Sequence, residues 1–391
     1  MDLTTCLPAD WRDARLLGRL MTPDGPSPVL ARGGRLYDLS THVATTAQAV
    51  ALDDLDAAGV DMGPLDDLTL GSAWSSQPAD LNLLSPLDLQ CIKASGVTFA
   101  VSALERVIEE RARGDADAAN AVRQSILERI GGELKDLRPG SDQAEAVKAQ
   151  LIAEGLWSQY LEVAIGPYAE IFTKAPVLAS VGWGAEVGVR SDSAWNNPEP
   201  EVVVICDPSG RPVGASLGND VNLRDIEGRS ALLLGKAKDN NASCSIGPMI
   251  RLFDGDYTLD DVRQAELTLR VQGEDGFVLN GASSMSQISR DPADLVAQML
   301  GRHHQYPDGA MLFLGTLFAP TQDRGAPGQG FTHKPGDRVT ISEPKLGALT
   351  NTVRLSTECP EWRFGTAALM RNLAARDLLE PLANPDQTMY T

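Results

Sequence analysis

The run Val202–Cys206, VVVIC, constrains the fold more than any other stretch of the chain. It is short, apolar and largely β-branched, with Asn196-Asn197-Pro198 before it and Asp207-Pro208-Ser209-Gly210 behind it as turn signals. Those features specify an interior strand buried on both faces. At its head stands Glu199-Pro200-Glu201. Side chains alternate along a strand, so residues two apart point the same way and both carboxylates leave the strand's mouth on one side. Pro198 and Pro200 donate no backbone hydrogen bond, which fits an entry where ladder pairing has not begun. Two like charges this close repel unless positive charge lies between them. An isolated Glu-Pro-Glu is more often a solvated pair than a site, because glutamate is mostly exposed. The rest of the chain has to shift that balance.

A chain of 391 residues, 43% hydrophobic, can bury a large core and specifies one big domain plus a smaller one. Its net charge of -19 argues against nucleic acid or an anionic membrane as partner. No apolar run approaches the length of a membrane span, and the N-terminus lacks the basic start and apolar core of a signal peptide, so a cytoplasmic protein is expected. The five cysteines (Cys6, Cys91, Cys206, Cys244 and Cys359) are odd in number and form no CxxC pair. Buried thiols, rather than disulfides or a zinc site, are expected.

Residues 1–85 read as a small β-rich domain, with a hairpin around Gly33-Gly34 and a short helix plus linker between Asp53 and Pro86. Residues 101–165 are helical in pattern: Leu104, Val107 and Ile108 share a face, and Glu105, Arg106, Glu109 and Arg113 are charged neighbours that pair at the surface on this reading. From Phe172 onward, short apolar runs alternate with turns, as in Met249–Phe253, Ala265–Val271 and Met311–Leu317. The fold class expected is α+β, mainly β, with residues 86–391 forming the larger domain.

Several motifs fail on context. Gly214–Gly218, GASLG, matches the GxSxG elbow, but a turn at Gly218-Asn219-Asp220 stands where the elbow needs a helix. Gly235-Lys236 is followed by Ala237 where a phosphate loop needs Ser or Thr. His303-His304 is an adjacent pair whose rings diverge, which fits a surface loop better than a metal site. The productive stretch is SLGNDVNLRDIEGRS, which puts Asp220 in a turn after a second short strand. Hairpin-spaced strands can bring it to the glutamates. Two glutamates and an aspartate are an all-oxygen donor set, suited to Mg²⁺ or Mn²⁺ and poorly suited to zinc. Lys236 and Lys238 follow, and a lysine beside a carboxylate cage serves as counter-ion or as stabiliser of an enolate.

The ordered set formed by Glu199-Pro200-Glu201, GNDVNLRD, Lys238, SIGP, LGT at Leu314–Thr316 and LGALTNTV at Leu346–Val353, together with the N-terminal GGRLYDLS, resembles the fumarylacetoacetate hydrolase family over most of the chain. The resemblance implies a mixed β-roll around a divalent cation in homodimers or homotetramers. It assigns Glu199, Glu201 and Asp220 as metal ligands, Lys238 as the active-site lysine, Thr316 as a contact to the substrate carboxylate and Gly315 as a further substrate-binding residue. Hydrolases of the family carry a histidine and, three residues later, a glutamate that together activate water. Here Ser102 stands at the histidine position and Glu105 keeps the glutamate. A serine does not accept a proton near neutral pH, so the dyad is broken and Glu105 is left as a lone base.

That pattern, with FAVSALERVIEERARGD, LWSQYLEVAIGP, WNNPEPEVV, KDNNASCSIGP and ISRDP, is similar to the sugar-acid dehydratases of the family, those acting on 2-keto-3-deoxy-D-xylonate. By resemblance the reaction is loss of water from a 2-keto-3-deoxypentonate to give 2-oxoglutarate semialdehyde, a step of oxidative pentose breakdown. Glu105 would remove a C3 proton, the cation and Lys238 would hold the enolate charge, and the C4 hydroxyl would depart, protonated by Glu105 or steered by Ser102. Residues 97–142 are the candidate lid, with Gly114 and the IGGE stretch at 130–133 as flexible points. Lys174 and Arg290 are candidates for substrate contact, with structural salt bridges as an equal alternative. Arg224 is expected to brace the Asp220 loop through Asp225, and a substrate contact from Glu227 is left open. Two alternatives stand beside this reading: an acylpyruvate or diketone hydrolase using Glu105 alone, and a metal-stabilised binding protein without catalysis.

Overall fold

The computed structural model describes residues 6–52, 54–56, 58–72, 79, 81–113, 115, 119, 137–155, 157–318, 320, 322–324 and 330–379. One long mixed sheet dominates. Its strands run in the order Val60–Pro64, Arg35–Asp38, Gly25–Arg32, Leu16–Thr22, Cys244–Leu252, Pro212–Asp220, Pro200–Cys206, Ala310–Phe313, Cys91–Gly96 and Glu170–Ala175. Pro200–Cys206 is an interior strand with every residue buried, as the VVVIC run demands. Its side chains serve two cores with period two. Val202, Val204 and Cys206 pack with Leu267, Leu269, Ile341 and Leu349 of a second, five-stranded sheet, while Val203 and Ile205 pack with Leu17, Leu30, Met311 and Phe313. Each such fully buried side chain contributes roughly 1.5–3 kcal/mol.

The five-stranded sheet runs Val278–Ser284, Glu266–Gln272, Arg338–Glu343, Gly347–Leu355 and Glu186–Val189. Burial alternates strictly along Glu266–Gln272, so this sheet has one core face and one wet face.

The N-terminal strands join the long sheet through Leu16–Thr22, which pairs antiparallel with Cys244–Leu252 at Leu16↔Arg251 and Leu17↔Ile250. Gly33 and Gly34, at φ of 55° and 71°, make the tight turn expected between Gly25–Arg32 and Arg35–Asp38. The stretch expected to hold a short helix and linker is built differently. The helix Thr46–Val50 precedes it, and three short strands, Val60–Pro64, Leu70–Ser72 and Leu81–Leu83, occupy it. Each finds its partner in a strand the local sequence does not reveal, as Arg35↔Pro64 and Leu20↔Leu83 show.

Among the described residues, the helices Ala100–Arg111, Asp142–Ala153 and Gln159–Ile165 form a separate layer where helical periodicity placed them. Leu104, Val107 and Ile108 pack there on Tyr160, Leu161 and Trp195. Of the candidate lid, residues 114, 116–118 and 120–136, including Gly114 and the IGGE stretch, lie outside the described residues. Among the described residues no helix is long and apolar enough to cross a membrane. Four of the five cysteines, Cys6, Cys206, Cys244 and Cys359, are buried and Cys91 is half-buried. Ser216 of GASLG lies inside the strand Pro212–Asp220, where its hydroxyl donates to Met249 O at 3.0 Å, and His303 and His304 are exposed.

Candidate active site and metal centre

The hairpin Pro200–Cys206/Pro212–Asp220 creates the core of the site. Its register places Pro200 opposite Asn219 and Glu201 opposite Gly218, and Asp220 N donates to Glu199 O at 3.1 Å. Glu199, Glu201 and Asp220 therefore converge, each offering one carboxylate oxygen within 4.8 Å of the others, and all three are buried. Lys238, at the end of the short helix Leu234–Lys238, lies between two of them, with Nζ 2.5 Å from Glu199 Oε2 and 3.1 Å from Asp220 Oδ2. Burial alone would lower the Lys238 pKa; the Asp220, Glu199 and Glu227 carboxylates outweigh it and hold the ammonium charged. Lys236 is exposed.

Leu314–Thr316 forms another wall. Gly315 N donates to Glu201 Oε2 at 2.6 Å. At φ of 89°, and with Thr98 Oγ1 only 2.0 Å from where a Cβ would stand, this position requires glycine. Thr316 Oγ1 accepts from Phe318 N at 3.1 Å and lines the cavity beside it.

The roof is the helix Ala100–Arg111. Ser102, Glu105, Arg106 and Glu109, spaced at three, four and seven, form one stripe that lines the cavity facing the carboxylate trio. Ser102 spends its hydroxyl on the helix start: Oγ donates to Phe99 O at 2.8 Å and accepts from Phe99 N at 3.2 Å. Glu105 accepts from Arg224 Nη2 at 2.9 Å, and Arg224 Nε also donates to Glu109 at 2.6 Å while its guanidinium lies 4.3 Å from the Trp195 ring centre. Arg106 reaches three carboxylates: Glu199 at 2.8 Å, Glu109 at 2.7 Å and Glu227 at 2.7 Å.

Six carboxylates, those of Glu105, Glu109, Glu199, Glu201, Asp220 and Glu227, line the cavity with three cations, Arg106, Arg224 and Lys238. Burial and the excess of negative charge act unequally on these groups. Burial, with the Asp220 and Glu199 charges added, pushes the Glu201 carboxyl far above its ordinary value. Burial raises Glu227 to about 7, against the pull of Arg106 and Lys238. Burial would raise Asp220 too, but Lys174 and Lys238 hold it low. An anionic, all-oxygen cage of this kind suits a hard divalent cation.

Residues 162–354, which carry the trio, Lys238 and the Leu314–Thr316 wall, match the model of the fumarylacetoacetate (FAA) hydrolase C-terminal family. That match takes in just under half of the chain. The chain is 32% identical over 194 residues to a protein of Haloferax volcanii described as a probable 2-keto-3-deoxyxylonate dehydratase, a match over 50% of this chain and 63% of that one. It is 33% identical over 188 residues to the 2-dehydro-3-deoxy-D-arabinonate dehydratase of Saccharolobus solfataricus, covering 47% and 58%. The matches thus span about six-tenths of those relatives' own lengths. The fold is that of 2-keto-3-deoxy-D-arabinonate dehydratase structures. The apo form aligns at a TM-score of 0.61 and 21% identity, and one complexed with magnesium and 2,5-dioxopentanoate at 0.60 and 21%; each covers 87% of this chain and 99% of the other.

Against that family fold, the structure brings Glu105, Ser102, Lys238, Glu199, Glu201, Asp220, Gly315 and Thr316 to one cavity. Lys174 and Arg290 are not among the residues that line it, which favours the structural alternative for both over substrate contact. Lys174 is fully buried behind Asp220, 2.8 Å from Oδ1, and donates to Lys238 O at 2.5 Å. Arg290 donates to Val163 O and Gly166 O, satisfying carbonyls at the C-terminal end of the helix Gln159–Ile165. Arg224 holds Glu105 and Glu109 instead of Asp225, whose carboxylate accepts from Ser193 Oγ and Ala194 N. Sequence reasoning left Arg106 and Glu109 as surface ion pairs. The regular polar stripe from Ser102 to Glu109 was the available signal, but periodicity cannot tell a stripe facing water from one facing a cavity.

Proposed function

We propose that this protein is a metal-dependent hydro-lyase that removes water from a 2-keto-3-deoxypentonate, 2-keto-3-deoxy-D-xylonate on the closest reading of the residues, and releases 2-oxoglutarate semialdehyde (2,5-dioxopentanoate). The observation that carries the reading is the Glu105 carboxylate, set across one cavity from the buried Glu199, Glu201 and Asp220 trio, with the neighbouring Ser102 hydroxyl already used by the helix start. The arrangement has a base opposite a cation site, and among the described residues that line the cavity there is no histidine to activate water. The dehydratases named above, one of them complexed with magnesium and this same dioxo acid, support the substrate class.

Glu199, Glu201 and Asp220 would hold Mg²⁺, or Mn²⁺ in its place. When bound, the cation supplies Lewis-acid polarisation that makes protons beside the 2-keto group removable. Glu105 takes the C3 proton. Lys238, kept charged by its carboxylate neighbours, offers positive charge to the enolate oxygen. Thr316, whose Oγ1 accepts from Phe318 N, keeps its hydroxyl proton to donate to the substrate carboxylate. Proton return from Glu105 to the departing C4 hydroxyl yields water and a C3–C4 double bond conjugated to the 2-keto group; loss of a C5 proton and protonation at C3 then give an enol at C4–C5, which tautomerises to the aldehyde. Acylpyruvate hydrolysis is the weaker reading, because Ser102 is committed to the Phe99 backbone. Assembly as a homodimer or homotetramer and a role in pentose degradation belong to the same proposal.

The test is a semialdehyde-dehydrogenase-coupled assay of native protein and Glu105→Gln with 2-keto-3-deoxypentonate and Mg²⁺, run beside acylpyruvate cleavage. Turnover of the sugar acid alone, lost with EDTA and in the variant, is expected. Acylpyruvate cleavage without dehydration would replace the dehydratase reading with the hydrolase one.

A further inference from the structure

We infer that Arg106 is a positioning residue that acts as a charge latch: it holds the Glu105-bearing helix on the carboxylate cage through Glu199, in competition with the divalent cation that the cage would bind. The inference rests on the reading of Glu199, Glu201 and Asp220 as cation ligands and does not depend on the substrate.

The cage is served by three cations from different parts of the chain. Lys238 lies beside Glu199 and Asp220, and Lys174 beside Asp220. Lys174 belongs to the strand Glu170–Ala175 and Lys238 to the short helix that precedes Cys244–Leu252, so both are anchored to the long sheet that carries the trio. Arg106 alone among the three comes from the helical layer. Its two terminal nitrogens divide the task. Nη1 stays with Glu109, one turn along its own helix, and with Glu227, while Nη2 crosses to Glu199 Oε1 at 2.8 Å. Asn222 Nδ2 donates to the same Glu199 oxygen at 3.1 Å, and Lys238 occupies the other, so both oxygens of Glu199 are engaged by donors.

A divalent cation on Glu199 therefore meets a guanidinium held against the same carboxylate at low exposure, where charges are weakly screened. Like charges this close oppose each other. Cation binding must weaken the Arg106–Glu199 pair, and by linkage the pair must weaken cation binding by the same factor. Glu109 and Glu227 remain to receive the guanidinium, so the released state leaves no uncompensated buried charge. Because Glu105 is the residue next to Arg106, the freedom of the base-bearing helix is tied to occupancy of the cage.

The test uses the full chain and two readouts other than turnover. Mg²⁺ binding is measured by calorimetry, and Mn²⁺ binding by its electron paramagnetic resonance signal, on native protein, Arg106→Gln and Arg106→Lys. In parallel, amide exchange of the helix Ala100–Arg111 is followed with and without Mg²⁺. Arg106→Gln is expected to bind either ion tighter by roughly tenfold or more, the change that losing one nearby repulsive charge produces. Arg106→Lys, which keeps the charge but cannot span three carboxylates, is expected between the two. In native protein Mg²⁺ should speed exchange of the helix, and in Arg106→Gln exchange should already be fast and indifferent to Mg²⁺. Equal or weaker ion binding by Arg106→Gln would overturn the latch while leaving the metal site standing. Failure of the native protein to bind either ion would overturn the metal reading itself, and the latch with it. Should Arg106→Gln not fold, Arg106→Lys decides the matter by the same sign of change.

Discussion

Arg224 Nη2 donates to Glu105 Oε2 at 2.9 Å, across 119 positions of sequence, and so ties the candidate base on the helical layer to the loop that follows the cage aspartate. The same guanidinium holds Glu109 through Nε and is itself buried against Trp195. Arg224 thus shares with Arg106 the task of setting the helix against the cage.

Arg224→Gln removes a cation shared by two buried carboxylates, of which Glu109 keeps Arg106, so it should cost up to about 3–5 kcal/mol of stability, the penalty for breaking a buried pair from one side. Where the protein still folds, kcat should fall by about a hundredfold or more as Glu105 loses its orientation. Denaturant titration and steady-state kinetics on the same preparation check this. Retained kcat would mean that Glu105 is positioned by other contacts.

Ser102→Ala tests whether the hydroxyl is structural or chemical. Its bonds to Phe99 predict a stability loss of about 1 kcal/mol with kcat changed only a few-fold. A thousandfold loss in a folded variant would place the hydroxyl on the substrate.

Gly315→Ala forces a Cβ into Thr98 at a φ of 89°. Strain of order 1–3 kcal/mol should be relieved by moving the backbone, which pulls Gly315 N away from Glu201. The expected result is a lower melting temperature together with weaker Mg²⁺ binding, read by calorimetry. Loss of stability with unchanged ion affinity would show that the Gly315–Glu201 bond does not shape the cage.

Glu227 makes stability depend on pH. Burial raises its folded-state value to about 7 from 4.5, so the folded protein binds this proton more tightly than the unfolded chain. The contribution is fully present below pH 4.5 and is lost as pH rises through 7, a difference of about 3 kcal/mol. Chelator-treated protein should therefore show a falling contribution across that window, found as the difference between native and Glu227→Gln unfolding curves. Parallel curves for the two would remove Glu227 as the source.

Much of this site lies in local sequence. The VVVIC run specified a buried strand, and Glu199 and Glu201, two apart at its head, had to share a face. Asp220 ends the next strand, where a hairpin returns the chain to its start, and Lys238 follows eighteen positions on in the short helix Leu234–Lys238. Such short-range geometry depends on strand alternation and turn chemistry, which each residue carries with it. The direction of the stripe Ser102, Glu105, Arg106 and Glu109 is of another kind. Helical periodicity put those four on one side, but only the packing of Leu104, Val107 and Ile108 on Tyr160, Leu161 and Trp195 turned that side onto the cage. Lys174 and Arg290 make the same point in reverse: their charge suggested a ligand, and partners far along the chain, Asp220 for one and backbone carbonyls for the other, claimed it. A side chain's type and spacing are properties of sequence. Which buried group it must neutralise is set by contacts that exist only once the sheet and the helical layer have closed on each other.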